Sequence, residues 1–320
     1  MSIQIKDLKK QYGEKTVLEN ITIELNHKFT TILGESGCGK TTLLKILSGL
    51  VEPNEGEIQM DGQLVFSDQK KINVQPNKRH LAMVFQDFAL WPHMTVFDNV
   101  AYSLKGKKNV IKEQVMEALR LVNLEQFAQR KPGELSGGQQ QRVSLARAIA
   151  PRPRVILFDE ALSALDAVLR ERMQIEIVEL LNQTDSQAVF VTHDQNEAMS
   201  MSDEIIVMEK GRVSQIGTPK EIYEQPANQY VAHFIGKINQ IEEDVFVRPE
   251  FVQLERTTDS QLSRQLTVTR SQFTGEHYLI HGTVLEREWL FYAPQPLVNG
   301  TVCDIYFSQN DLTLIGGKEQ

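Results

Sequence analysis

Cysteine is scarce: Cys38 and Cys303 are the only thiols in 320 residues. Two thiols cannot form the disulfide framework of a small secreted scaffold, so a reducing compartment is the expected home. No apolar run approaches the ~18 residues that span a bilayer, so no membrane-crossing helix is expected. The opening stretch, Met1 to Lys10, has no apolar core after its charges and does not read as a secretory leader. Positive charge is in deficit. With 34 Lys and Arg against 42 Asp and Glu, the net charge is −8, which argues against binding nucleic acid through overall positive charge. Low-complexity tracts and internal repeats are absent too. What remains is ordinary for a globular chain, 41% hydrophobic and 24% charged, and its length suggests about two domains.

The first stretch alternates as strands do, at Ile3 and Ile5, at Ile21, Ile23 and Leu25, and from Phe29 to Leu33. Ile111, Val115, Ala118, Leu119 and Val122 recur at helical spacing, and Val168 to Leu181 reads as a second amphipathic helix. Val155-Ile156-Leu157-Phe158, Ala188-Val189-Phe190-Val191 and Ile205-Ile206-Val207-Met208 are short continuous apolar runs, the mark of strands covered on both faces. Strands alternating with helices predict an α/β domain with a largely parallel sheet over residues 1–237. After about Lys237 the helical period fades. Short alternating segments at 266–268, 278–280, 283–285, 290–292 and 302–307, separated by turn formers at 274–276 and 299–300, predict a small all-β domain over 238–320.

Gly34-Glu35-Ser36-Gly37-Cys38-Gly39-Lys40-Thr41 fits the phosphate-loop pattern in full, with Thr42 beside it. It follows a predicted strand and opens a predicted helix, the context that the pattern requires. Glycine lets backbone N–H groups converge on phosphate oxygens, and the helix presents its positive end to the anion. Lys40 is placed to reach the β/γ-phosphates and the Thr41 hydroxyl to ligate Mg²⁺. A carboxylate must hold that ion from the far side. Asp159 ends a buried strand and suits the task, and Glu160 next to it suits the polarisation of an attacking water.

Five further segments carry a family resemblance. Leu135-Ser136-Gly137-Gly138-Gln139 resembles the signature motif of ABC-transporter ATPase subunits, and Gln86 in Val84-Phe85-Gln86-Asp87 resembles their Q-loop. Ser163-Ala164-Leu165-Asp166 resembles the D-loop, His193 the switch histidine, and Tyr12 the aromatic that stacks on adenine. The order and spacing match from about residue 3 to 237. The resemblance implies a P-loop ATPase fold with a helical subdomain at about 87–150, and ATP and Mg²⁺ as cofactors. It implies Glu160 as catalytic base, His193 as sensor of the γ-phosphate, and Gln86 as a contact to Mg²⁺ and water. It also implies a homodimer, in which Ser136, Gly137, Gly138 and Gln139 complete the partner's site, the helix after Gln139 adding its positive end. The family usually has proline after the glutamate. Here Ala161 stands there, which predicts a slightly looser Glu160 backbone.

The run from Phe85 to Val100 resembles importer subunits. The resemblance implies an integral membrane permease as partner, an extracytoplasmic solute-binding protein acting indirectly, and a place at the cytoplasmic face of the membrane. Phe88, Leu90, Trp91 and Met94 could form a socket for the permease or pack the helical subdomain. The β-rich tail, with Val247-Arg248-Pro249-Glu250, is similar to the barrel-like domain appended to such importers. Its length favours ferric iron as cargo, with polyamine, sulfate, phosphonate and thiamine as alternatives. A soluble ABC switch on ribosomes or DNA is the competing class, disfavoured by the single cassette. His277 and His281 lack further metal ligands, and Cys38 reads as packing.

Overall fold

The computed structural model describes residues 2–258 and 261–316. Their contacts divide the chain after Pro219 into two compact units, 1–219 and 220–320. This division falls earlier than the change of composition near 238, and Arg248 supplies the reason. Its buried guanidinium donates to the carbonyls of Tyr223, Ala232 and Lys237. It also lies 4.1 Å from the Tyr223 ring. Residues 220–237 are thus built around a side chain of the tail.

The first unit opens with β1 (Ile3–Tyr12) and β2 (Lys15–Leu25), paired antiparallel. After β3 (Phe29–Gly34) and α1 (Lys40–Ser48), the chain returns to β1 with β4 (Glu55–Met60), β5 (Gln63–Ser67) and β6 (Ile72–Asn73). The resulting antiparallel sheet has the order β2-β1-β4-β5-β6. A reading of one largely parallel sheet does not foresee it, because alternation marks a strand without naming its partner.

Next come β7 (Leu81–Val84), α2 (Val96–Ala101), α3 (Lys108–Leu121) and α4 (Gly137–Ile149). They are followed by β8 (Val155–Asp159), α5 (Ala167–Asn182), β9 (Gln187–Thr192) and α6 (Gln195–Met201), then β10 (Glu204–Glu209) and β11 (Arg212–Gly217). The central sheet runs β11-β10-β3-β9-β8-β7. Only β11 is antiparallel to its neighbour. Both faces are covered, as the continuous apolar runs demand. Ile156, Phe158, Ala188 and Phe190 pack on the core shared with α2 to α5. Val155, Leu157, Val189 and Val191 pack on the core shared with α1 and the antiparallel sheet. Each such side chain contributes on the order of 1.5–3 kcal/mol by burial.

The second unit holds α7 (Pro219–Glu224), α8 (Gln229–Ile235), β12 (Asn239–Gln240) and β13 (Val245–Val247). The strands β14 (Leu262–Phe273), β15 (Tyr278–Val284), β16 (Arg287–Ala293), β17 (Val302–Phe307) and β18 (Leu312–Leu314) complete it. They form two antiparallel sheets, β12-β13-β18 and β16-β15-β14-β17. Segments 278–280 and 283–284, expected to be separate, belong to one strand, and Leu285 falls in the turn that follows. Gly282 interrupts the apolar pattern because Leu266 crosses there: a Cβ on Gly282 would lie 2.2 Å from the Leu266 side chain. Leu266, Ile280, Trp289, Phe291, Ile305 and Phe307 form the core.

Candidate nucleotide-binding site

The loop from Gly34 to Gly39 is shaped by close approaches. Gly37 and Gly39 have φ of 85° and 108°, backbone that side chains rarely adopt. A Cβ on Gly34 would lie 2.4 Å from the Met208 carbonyl oxygen, and one on Gly39 would lie 2.8 Å from that of Val17. Glycine at these two positions is therefore a packing requirement of the unit itself. Helix α1 begins at Lys40 after an N-cap glycine, Gly39, that offers no side-chain cap, so its first N–H groups stay open to an anion. Lys40 is buried, and its Nζ donates to the carbonyls of Gly34 at 2.8 Å and Glu35 at 2.9 Å. These two carbonyls satisfy the buried amine and fix its position at the loop. Glu35 and Ser36 are exposed, and Thr41 and Thr42 half-buried. Cys38 is buried beside Lys40, and burial pushes its thiol up from the ordinary value. It is packing material.

Strand order brings the rest together. In register, Leu33 of β3 faces Thr192 of β9, and Asp159 of β8 faces Val191. Three strands therefore end side by side where the loop begins, the usual place for a ligand in such sheets. The Thr41 hydroxyl donates to Asp159 Oδ1 at 2.9 Å. Desolvation by burial raises the Asp159 carboxyl above its ordinary range; the Thr41 hydrogen bond opposes that rise and neighbouring Glu160 adds to it. A buried carboxylate next to a hydroxyl is a pair of hard oxygen donors suited to Mg²⁺.

Glu160 has φ of +45°, a strained position for a side-chain residue. Its N–H donates to Val191 O at 3.0 Å, and its carbonyl accepts from the Ser163 hydroxyl at 2.8 Å. Ala161 is fully buried behind it. The backbone is thus anchored on both sides where the family's proline is missing. His193 Nδ1 lies 3.4 Å from Glu160 Oε2, with the imidazole about half exposed at 51%.

The sequence reading misses a buried network beneath His193. Glu197 on α6 is buried and accepts from the Thr192 hydroxyl at 2.5 Å. Thr192 Oγ1 in turn accepts from Asp194 N. Arg170 of α5 lies 3.5 Å from Asp194 and 3.9 Å from Glu197, and it donates to the carbonyl of Leu165. Burial raises the Glu197 carboxyl, with Thr192 opposing. The residues on either side of His193 are therefore tied to the Ser163–Asp166 loop. Only the spacing of Glu197, four residues past His193, hinted at this, and acids there are common on any helix.

Ser136 caps α4: its Oγ accepts from Gln139 N, and Gln139 Oε1 accepts from Ser136 N. This capping box starts the helix at Gly137, not after Gln139. Gly137 and Gly138 are thereby its first turn. Gly137 faces open space, whereas a Cβ on Gly138 would lie 2.8 Å from Leu169. Among the described residues, Ser136 to Gln139 form no hydrogen bond to Lys40, Thr41 or Asp159. Gln86 is exposed just beyond β7 and forms no hydrogen bond to Thr41, Asp159 or Glu160, so the structure does not bring it to the metal-binding pair. Tyr12 ends β1 with its ring 51% exposed and Lys10 Nζ 4.8 Å above it. Phe88 and Leu90 pack on the helical core, while Trp91 lies 4.1 Å from Tyr102. His281 pairs with Glu288, and among the described residues no group of three metal-ligating side chains occurs.

The family model described as ABC transporter matches residues 18–163. The dimeric structure of MJ0796, a bacterial ABC transporter cassette, is 33% identical with a TM-score of 0.59, covering 68% of this chain and 98% of that one. This chain belongs to the ABC transporter family. The structure of cbiO1 from Clostridium perfringens, part of the cbiONQ ABC transporter complex, is 27% identical with a TM-score of 0.62, covering 69% and 89%. The spermidine/putrescine import ATP-binding protein PotA of Haemophilus influenzae is 50% identical over 250 residues, 77% of this chain and 66% of that protein. PotA of Vibrio parahaemolyticus is 51% identical over 241 residues, 74% and 62% respectively. The chain thus spans just under two thirds of the length of these PotA relatives. Their names lend no support to the expectation of ferric iron, which rested on tail length and overall wording. Among the described residues no helix is long and apolar enough to cross a membrane.

Proposed function

We propose that this protein is the ATP-hydrolysing subunit of an importer and works as a homodimer. The observation that carries this reading is the convergence of Lys40, Thr41, Asp159, Glu160 and His193 at three adjacent strand ends. Lys40 and the N–H groups opening α1 bind the triphosphate. Thr41 and Asp159 would hold Mg²⁺, which would supply neutralisation of phosphate charge. Glu160 takes a proton from the attacking water, and His193, fixed by the Thr192–Glu197–Arg170 network, aligns that carboxylate and meets the γ-phosphate. Gln86, exposed beyond β7, would join this set only on closure of the site. Tyr12 offers its exposed face to the adenine. Ser136 to Gln139 of a second copy close the site, so that hydrolysis follows pairing. A post-hydrolysis dimer of MJ0796 bound to ADP and Pi, 32% identical, supports the pairing.

The partner at the membrane is an integral permease fed by an extracytoplasmic solute-binding protein, which places this subunit at the cytoplasmic face. Polyamine is the proposed cargo, because relatives near 50% identity are named for spermidine and putrescine import. The test is ATP turnover by the purified protein and its Glu160→Gln variant. Loss of the base lowers turnover by about a hundredfold or more while MgATP still binds. Equal turnover by both proteins refutes the mechanism.

A further inference from the structure

Phe88 and Ala89 are consecutive residues with φ of 59° and 47°, a left-handed pair that neither side chain favours. They follow the Gln86 loop. Their carbonyls share one partner, Arg147, whose Nη2 donates to Phe88 at 3.0 Å and Nη1 to Ala89 at 2.5 Å. The same guanidinium lies 5.4 Å from the centre of the Trp91 ring. The next stretch is held from another element. Asn99 of α2 accepts from Trp91 N and donates to the carbonyls of Trp91, Met94 and Thr95. Of these two anchors, only Arg147 sits on α4, the helix that Ser136 caps and that Gly137 opens.

We propose that Arg147 is a positioning residue that couples the signature end of α4 to the surface formed by residues 88–91. This rests on the nucleotide-bound homodimer proposed above. Arg147 lies ten residues beyond Gly137 on a continuous helix, about 15 Å along a rigid rod. When Gly137 and Gly138 close on a nucleotide, the rod moves as a unit. The guanidinium fork then carries Phe88, Ala89 and Trp91 with it. Lysine keeps the charge but cannot bridge two carbonyls in one plane or lie flat over an indole.

Trp91 and Trp289 are the only tryptophans, so Trp289→Phe leaves Trp91 as a reporter at the point of action. With Glu160→Gln added to hold nucleotide unhydrolysed, MgATP is expected to shift the Trp91 emission. Arg147→Lys is expected to bind MgATP with unchanged affinity yet lose that shift. Ala89→Gly, which removes the side-chain penalty at the left-handed position, is expected to restore the resting emission of the Arg147→Lys protein. A general packing role for Arg147 would not be relieved by a glycine 58 residues away. Where Arg147→Lys alone does not fold, the double variant must fold and bind MgATP, and its failure overturns the proposal. An undiminished Trp91 response in Arg147→Lys, or none in the parent that binds MgATP, overturns this proposal alone. A parent that binds no MgATP overturns the functional reading and this proposal with it.

Discussion

Adjacent glycines at the start of α4 are expected to respond to alanine with opposite signs. At Gly137 an added Cβ meets nothing within 4 Å, and the residue is the first of the helix. Alanine there suits the helical backbone and lowers the entropy of the unfolded chain. The gain is about 0.5–1 kcal/mol, or about 1–4 °C in melting temperature for a unit of this size. At Gly138 the Cβ would lie 2.8 Å and 2.9 Å from the two methyl carbons of Leu169. Leu169 is only partly buried and must turn its methyls aside, so the overpacking costs about 1 kcal/mol, the low end for such changes, and the melting temperature falls. Activity separates from stability at Gly137. The space its missing side chain leaves is what a phosphate bound to a second copy would enter, so Gly137→Ala is expected to lower ATP turnover at least tenfold, ~1.4 kcal/mol in the barrier. Thermal melting with steady-state hydrolysis on the two single variants is the assay. A Gly137→Ala protein that melts as the parent or higher and turns over at the parental rate would refute the reasoning.

Asp159→Asn should raise the melting temperature at neutral pH while weakening Mg²⁺-dependent nucleotide binding. Burial raises the pKa of this carboxyl, so the folded protein holds its proton to higher pH than the unfolded chain. The charged form therefore costs stability as pH rises through the raised value, and that cost is absent below the ordinary range. The advantage of asparagine should accordingly fade in acid; an advantage that grows in acid sinks the assignment. Arg79 is buried, its pKa lowered to about 10 by desolvation, and it donates to Ile46 O, Leu47 O and Val74 O. Arg79→Ala leaves carbonyls at the end of α1 short of a charged donor and should cost about 3–5 kcal/mol, lowering the urea midpoint. A loss below about 1 kcal/mol would show that water replaces the guanidinium.

Much of the site was legible because its parts are local. Gly34 to Thr41 and Asp159-Glu160 each need residue types at fixed spacing next to a strand end, and periodicity locates strand ends. Other features could not be read. Gly39 is required by Val17 and Gly138 by Leu169, contacts between residues remote in the chain. The capping box at Ser136 was present in the letters Ser-Gly-Gly-Gln, yet the two glycines disguised a helix start. Arg147 and Arg170 look like any other helical arginines until the carbonyls they reach are known.

The amino-acid order by itself determined that a phosphate loop sits between a strand and a helix, that two acids close a buried strand, and that the tail is β-rich. Each follows from short-range stereochemistry and from which faces must be dry. Tertiary structure alone decided that β3, β9 and β8 lie side by side. That neighbour relation sets Asp159 against Thr41 and His193 against Glu160. Tertiary structure also decided that the second unit begins at 220, because one buried guanidinium from beyond 238 gathers three carbonyls that precede it. Strand order and charge burial depend on contacts between distant segments, and local periodicity carries no record of them.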